Sequence, residues 1–574
     1  TLIYKQKSAF QILQKQIPCY FTLWFIALLT VIFKSRLLLK KALKPTEQVL
    51  KSQKEFIASA SHELKSPLAV IIANVEQLEQ QADNQEIQKG KEITLGVSEF
   101  DNINPIITSN RRVQDIDRLI YEPLVNITED YNIEYTLAQE CAKNSNNIYI
   151  IKLRQGVKWS DGSKFTSDDV KYTIDKLKEN ENSVYASNVS PIKEVDIIDN
   201  YTLRVILSQD VNNFEYYLNF PILSSSYYLD TDFWNTDKNK APITTGQYKI
   251  SEVNNNTIVL EKNQSWWNAK KDTTIIEKIT INLYSTAAEL YNAFKMGSID
   301  LISTENGSYQ DYIGTIGYDV TEIEGREFIF LALNTQSSNL SDVNVRKAIR
   351  AALDKDRVIS NSFGNMYKSA NFVLNTGSYL VNTQEENFYN VDEKSNLLSS
   401  AGWEFKNGIW QKIENYKAKA LELNLVVRAS DGTRRRAAED IKSQLGEQGI
   451  IVNIIYADDS SYNSYLNNIN YDMMLGSIKQ PIAPDLSTYF GYNNLAKFSN
   501  SEIDDIMNVT KNSTDSNELK SKYQRLYEIY NDEVPYIGIA RNKIIAVKNT
   551  ELVGDVKANW YSMFYNIKEW YTSK

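Results

Sequence analysis

Apolar residues change rhythm several times along the chain, and each rhythm predicts a different element. From Ile17 to Phe33 (IPCYFTLWFIALLTVIF) no charge interrupts the run. Its roughly seventeen residues reach the short end of what spans a bilayer core, so a membrane helix is predicted there. After Pro45, the residues Ile57, Ala60, Leu64, Leu68, Ile71, Val75 and Leu78 recur at alternating three- and four-residue steps, a heptad-like helical stripe. Glu79 to Lys91 then has almost no apolar residue and reads as a linker. Beyond it the period falls to two: Ile93, Leu95 and Val97 alternate as a strand.

The stretch Tyr149 to Val170 (YIIKLRQGVKWSDGSKFTSDDV) is the most informative. Ile151, Leu153, Val157 and Trp159 fall at strand spacing, with Gln155-Gly156 between the two runs and Asp161-Gly162 closing the second. Thr166 stands three residues before Asp169 in an N-cap arrangement, and Val170, Ile174 and Leu177 continue at helical spacing. The reading is strand, turn, strand, turn, capped helix. Farther on, Val345, Ala348, Ile349, Ala352 and Leu353 form one apolar helical face behind a cap at Asp342, and Arg346, Lys347 and Arg350 are expected on a solvated face. Residues 421–457 read as strand, loop, helix, strand, with Ile441 and Leu445 on the buried side. The run Arg434 to Arg436 reads as a solvated helix start, with attraction of a ligand carboxylate as the alternative. Trp266 and Trp267 read as core aromatics before ligand-stacking ones.

Composition narrows the class. At 574 residues, 42% hydrophobic and 11% aromatic, the chain can build several large cores. A net charge of −9 argues against a nucleic-acid surface. The two cysteines, Cys19 and Cys141, support neither a disulfide framework nor a cysteine metal cluster. The single histidine, His62, leaves everything beyond it without the commonest metal ligand and general base. No cofactor is implied. Lys34, Arg36, Lys40, Lys41 and Lys44 follow the apolar run, against Lys5, Lys7 and Lys15 before it, so the segment after it is expected in the cytoplasm. Cys19 lies before the run, the wrong order for a lipoprotein anchor. The start at Thr1 suggests that a preceding stretch is missing.

His62 falls off the heptad stripe and is expected to face solvent or a partner. Its segment, FIASASHELKSP, closely resembles the H-box of sensor histidine kinases. The resemblance implies that His62 accepts phosphate, that Glu63 assists and that Pro67 is the family's following proline. A neutral imidazole beside a carboxylate is chemically suited to that step. The second dimerisation helix and the glycine-rich ATP-binding domain that should follow are not visible, and glycine is scarce at 21 residues. Self-phosphorylation is therefore not expected, and the resemblance stops near Gln80.

KLRQGVKWSDGSKFTSDDV resembles the signature of the family 5 extracellular solute-binding proteins, which serve ABC importers of peptides and nickel. Several further blocks carry the same resemblance. KEITLGVSEFDNINPIITSNRRVQDIDRLIYEPLV is similar to the first strand and ligand-facing loop, which makes Ser98 and Glu99 contact candidates. APITTGQYKI and VLEKNQSWWNAK resemble structural turns, and KMGSIDLIS a helix end capped by Gly297. FIFLALNTQSSNLSDVNVRKAIRAALDKDRVI resembles the block after the first crossing between lobes, with a hinge at Ile329 to Thr335 and Asn334 as a cleft candidate. In YDMMLGSIKQPIAPDLSTYF, Ser477 stands where the family often has tryptophan and Gln480 near the place of the acid that holds a peptide's ammonium. Only Asp485 is left to replace that charge. The stretch from Pro535 resembles the return crossing.

The resemblance implies an α/β fold, a two-lobed periplasmic-binding-protein type II-like (Venus flytrap) module. The expected organisation is a tail at 1–16, a transmembrane helix at 17–33, a partial H-box helix at 45–80, a junction at 81–91, lobe 1 at 92–328, lobe 2 at 329–535 and a return to lobe 1 at 536–574. The function implied is the substrate-binding component of an ABC importer. It would bind a short peptide or similar small organic solute in preference to directly coordinated nickel, and partner a membrane permease. The alternative is a membrane sensor histidine kinase-type signalling protein, with His62 as phosphoacceptor and a helical homodimer through 45–80, arising from a natural or artefactual gene fusion. The family places the binding module at the extracellular face, whereas a single span with these flanking charges places it in the cytoplasm.

Overall fold

The computed structural model describes residues 90–574, apart from residues 212, 305, 306, 384, 385, 469, 514 and 574, together with Lys34 and Arg36. The expected membrane helix at 17–33 and the phosphoacceptor segment at 45–80, with His62, Glu63 and the proposed homodimer, lie outside the described residues. Among the described residues no helix is long and apolar enough to cross a membrane. The chain divides after Gln88, and Lys89–Lys574 forms one compact unit.

A large mixed sheet runs through that unit. In chain order, β1 (Glu92–Ser98) is followed by a four-stranded antiparallel sheet of β2 (Ala138–Ser145), β3 (Ile148–Leu153), β4 (Ile192–Asp199) and β5 (Thr202–Leu207), in the order β2-β3-β5-β4. The main sheet continues with β6 (Tyr248–Val253), β7 (Thr257–Lys262), β8 (Lys278–Tyr284), β9 (Leu301–Thr304) and β10 (Tyr318–Leu333). Then come β11 (Glu422–Arg428), β12 (Ile451–Ala457), β13 (Met473–Lys479) and β14 (Tyr536–Asn549). Its order is β12-β11-β13-β10-β14-β9-β1-β8-β7-β6. The helices used below are α1 (Arg111–Ile120), α2 (Ser167–Glu179), α3 (Ala287–Lys295), α4 (Val343–Ala352), α5 (Gly432–Glu447) and α6 (Ser516–Glu533).

Local chemistry explains these elements. At the start of α2, Asp169 Oδ2 accepts from the backbone N–H of Thr166 at 2.9 Å and from Trp159 Nε1 at 3.2 Å. Its Oδ1 accepts from the N–H and the hydroxyl of Ser225, both at 2.8 Å. One carboxylate thus ties the helix cap to a fully buried tryptophan and a distant loop. Val157 and Trp159, expected on a second strand, instead flank a single bridge between Lys158 and Lys164. Turns at Gly156 (φ +82°) and Gly162 (φ +91°) crowd that segment and leave no room for a longer ladder. Helix α3 ends as read from sequence: Ser298 N–H bonds to Ala293 O at 2.9 Å, with Gly297 left-handed at φ +73°.

In β10 the run FIFLAL is buried on both faces. Ile329, Leu331 and Leu333 enter one core with α4 and α5, while Phe328, Phe330 and Ala332 enter another with α6. A strand covered on both sides reads as a continuous apolar run for this reason. Helix α4 buries the expected apolar face, but of the three charged residues expected on a solvated face Arg346 is buried, and Lys347 and Arg350 are half-buried. Arg346 is 3% exposed and donates to the carbonyl oxygens of Glu533, Leu340 and Ser341 at 2.8, 2.9 and 3.0 Å. Arg350 donates to Asn531 O at 3.1 Å. The end of α6 and the loop before α4 fold over this face and offer it unpaired carbonyls.

The two lobes are joined by the long antiparallel pair β10 and β14. β14 pairs with β9 through Ile545–Lys548, and β10 pairs with β13 through Glu327–Leu333. Their own register slips between Glu324 and Phe328. The segment Ile329 to Thr335, expected as hinge, belongs to β10 as far as Leu333, and a second, smaller slip lies within it, between Ile329 and Phe330. Arg541, 1% exposed, fills the slip. It donates to Val373 O at 2.6 Å, Phe372 O at 3.1 Å and Gln480 Oε1 at 3.1 Å, and lies 3.8 Å from the Glu324 carboxylate. Burial pushes the Glu324 carboxyl up, but Arg541 and Lys368 outweigh it and hold the group below its ordinary range.

Trp266 and Trp267 are half-buried and both donate indole N–H to the buried Glu122, at 2.9 Å from Trp266 and 2.8 Å from Trp267. Burial outweighs these two bonds and lifts Glu122 from 4.5 to about 8. A raised acid stabilises the fold below its unfolded value and loses that contribution as pH rises through the folded one. Between about pH 5 and 8 the protein is therefore expected to lose stability. Glu122→Gln should flatten that decline by ~3 kcal/mol in urea titrations run across the range; a wild-type curve already flat there would contradict the assignment. Arg541→Met strands several buried acceptors and the Glu324 carboxylate, and is expected to cost about 3 kcal/mol in the same assay. An unchanged urea midpoint would show that the slip does not depend on Arg541.

Candidate functional site

Between the lobes lies a cavity of about 590 Å³. One wall is α1, whose amphipathic spacing buries Val113, Ile116, Leu119 and Ile120 and turns Arg111, Asp115 and Arg118 to the other side. Asn110 caps the helix by accepting from Arg112 N–H at 3.1 Å, which sets the direction of that polar face. Arg111 pairs with Asp115 at 3.1 Å and also donates to Trp560 O at 3.2 Å. Arg118 donates to Asn219 O at 3.4 Å, and its guanidinium lies 5.5 Å from the Tyr185 ring centre.

The facing wall comes from the slip in β10 and from β13. Arg326 donates to Gln480 O through Nε at 2.9 Å and Nη2 at 2.6 Å, and stacks over Trp560 at 4.3 Å. Burial lowers its pKa. Lys479 and Ser477 open onto the same space. Trp560 and Tyr561 stack with ring centres 3.5 Å apart, and the Tyr561 hydroxyl donates to Ile482 O. An apolar contact of Ile127 and Tyr216 with Ile482 and Ala483, and a bond from Tyr379 N–H to Asp130 O at 2.8 Å, join the lobes beside the cavity.

Of the residues expected at the site, Ser477 lines the cavity. Its hydroxyl accepts from Arg434, which also reaches Glu327 at 3.1 Å. Arg434 therefore braces two residues of the cavity's wall, while Arg435 and Arg436 are exposed at the helix start as expected. Gln480 lies just behind that wall, 6% exposed, with its Oε1 held by Arg541. Ser98 and Glu99 lie at the end of β1, their carbonyl oxygens accepting from Asn110 Nδ2 at 2.8 and 3.1 Å. Ser98 is buried, and Glu99 is exposed with φ +54°. Asn334 is 5% exposed and donates to Tyr471 O at 2.8 Å. Asp485 accepts from Ser487 N–H at 2.9 Å in a turn. Among these, Ser477 belongs to the cavity's lining, and Gln480 touches it from behind through its carbonyl, which accepts from Arg326.

Arg111, Arg118, Asn219, Arg326, Trp560 and Tyr561 were not singled out from sequence. The spacing of the polar residues on α1 was available, but which surface that face meets depends on segments more than a hundred residues away. No group of three or more His, Cys, Asp or Glu among the described residues is placed to hold a metal ion.

Comparison with known proteins agrees with this geometry. The chain is 21% identical over 510 residues to the oligopeptide-binding protein AppA of Bacillus subtilis, covering 85% of this chain and 92% of the relative. Among solved structures, the unliganded open form of the murein tripeptide binding protein MppA superposes with a TM-score of 0.69 at 20% identity, over 84% of this chain and 97% of that one. The nickel ABC transporter protein of Bacillus halodurans gives 0.69 at 18% identity, over 84% and 100%. These likenesses show the two-lobed α/β fold. The His Kinase A phospho-acceptor domain matches residues 52–116. From residue 92 that match runs over β1, which is a strand paired with β8 and β9 and no part of a helical hairpin. The family model of bacterial extracellular solute-binding proteins, family 5, matches residues 132–501, more than half of the sequence, and the chain belongs to that family.

Proposed function

We propose that residues 90–574 capture a short peptide or a similar small organic solute in the interlobe cavity and present it to an ABC permease. The carrying observation is that one 590 Å³ space is lined by α1 from one lobe and by β13 from the other. A ligand that touches both walls binds the closed arrangement better than the open one, which is the only way it can drive closure. Micromolar affinity requires about −8 kcal/mol, within reach of a few charge-assisted hydrogen bonds and partial burial. Family 5 proteins of ABC importers take peptides or nickel. The single histidine lies at position 62, and the cavity offers guanidinium, ammonium and amide groups with its two carboxylates, Asp115 and Glu327, paired to arginines, a poor ligand set for nickel. An organic solute fits better.

Family 5 binding proteins work in the periplasm or outside the cell, and we place this unit there, tethered by residues 17–33. The match at residues 52–116 favours an alternative reading, in which His62 is phosphorylated by a separate kinase and the unit lies with it in the cytoplasm.

Native mass spectrometry of the full chain is expected to show a co-purified adduct of a few hundred daltons that is lost on denaturation. Neither an adduct nor capture from an added peptide pool would overturn the transport reading. Protease added to intact cells is expected to cleave the 90–574 unit; complete protection would put it in the cytoplasm.

A further inference from the structure

The cavity wall is strongly biased in charge. Arg111, Arg118, Arg326 and Lys479 line it, against Asp115 and Glu327. Both acids already carry an arginine: Arg111 on Asp115 at 3.1 Å and Arg434 on Glu327 at 3.1 Å. A cationic solute would therefore have to displace an arginine to reach a carboxylate. An anionic one meets donors already in place.

Two of those donors have no partner of their own. Asn219 is 2% exposed and lines the cavity, and neither its Nδ2 nor its Oδ1 makes a hydrogen bond. Beside it, Arg118 Nη1 is buried without a partner, although Nη2 of the same guanidinium reaches Asn219 O. A buried donor left unsatisfied costs about 1–3 kcal/mol, so two adjacent ones at a cavity wall mark a place where something else supplies the acceptor. The arrangement across the cavity points the same way. Arg111 on α1 acts on Arg326 as a like charge, and both Arg118 and Arg326 act on the Tyr561 hydroxyl. These cations line one cavity, and an anion among them turns their repulsion into attraction.

Resting on the transport reading above, we propose that the solute is an anion whose carboxylate or phosphoryl group seats against Arg118 and Asn219, facing Arg326, so that lobe closure depends on its negative charge. Recognition then runs through the anionic end. Near the place where the family resemblance implies an acid for an ammonium, Gln480 offers no charge, and its Oε1 accepts from Arg541.

The test uses the full chain in native mass spectrometry with four probes: a pool of tri- to pentapeptides, the same pool after methyl esterification of its carboxyl groups, glucose 6-phosphate, and glucose. Capture from the free-acid pool but not the esterified one supports a carboxylate; capture of glucose 6-phosphate but not glucose supports a phosphoryl group. Equal capture of the esterified and free pools, or of glucose and its phosphate, overturns the anion requirement and leaves the transport reading standing. Capture of none of the four overturns both. For the probe captured, Arg118→Gln and the isosteric Asn219→Asp are each expected to weaken binding roughly ten- to a hundredfold with little change in Tm. Variants that fold and bind as tightly as wild type overturn the assignment of these residues. If neither variant folds, the esterification comparison still decides the charge requirement.

Discussion

The structure depends on the antiparallel pair β10 and β14. These are the strands shared by both halves of the main sheet, and through them the sheet continues from one cavity wall to the other. A regular ladder of that length would be stiff. The slip between Glu324 and Phe328 interrupts it where the cavity opens, and Gly325 allows the close approach, since a Cβ there would meet Asn542 Oδ1 at 2.3 Å. Arg541 then supplies the donors that the broken ladder leaves wanting. The same interruption releases Arg326 to reach Gln480 O and to stack on Trp560. The break in the ladder and the cavity wall are thus parts of one irregularity.

How much of this was legible in the sequence follows from the range over which each signal acts. Asp169 could be read as a cap because its partner Thr166 is three residues away, yet its bonds to Ser225 could not be seen. The burial of FIFLAL on both faces and the glycine end of α3 were likewise written locally. Arg346 was misplaced because a polar residue off the apolar stripe normally meets water, whereas here it meets the carbonyl oxygens at the end of α6. Val157 and Trp159 carry strand spacing, but two left-handed glycines reduce the strand to a single bridge.

The site was harder to read for the same reason. Family likeness pointed to the strand ends, and Ser477 does lie on the cavity, but Ser98 is held by the Asn110 and Arg112 side chains and Asn334 by the distant backbone of Tyr471. The charged wall comes from α1, whose polar face has no local mark distinguishing a cleft from solvent. Arg434 gives the converse lesson: an arginine run at a helix start looked solvated, and one of its members is drawn inward by Ser477 and Glu327.

The measurement that bears most directly on this account is a crystal structure of the chain with its solute bound. The account predicts density in the interlobe cavity touching Arg118 on α1 and residues of β13 together. Solute seated elsewhere, for example in the groove of about 350 Å³ beside Glu122, Trp266 and Trp267, with the interlobe cavity holding only water, would contradict it.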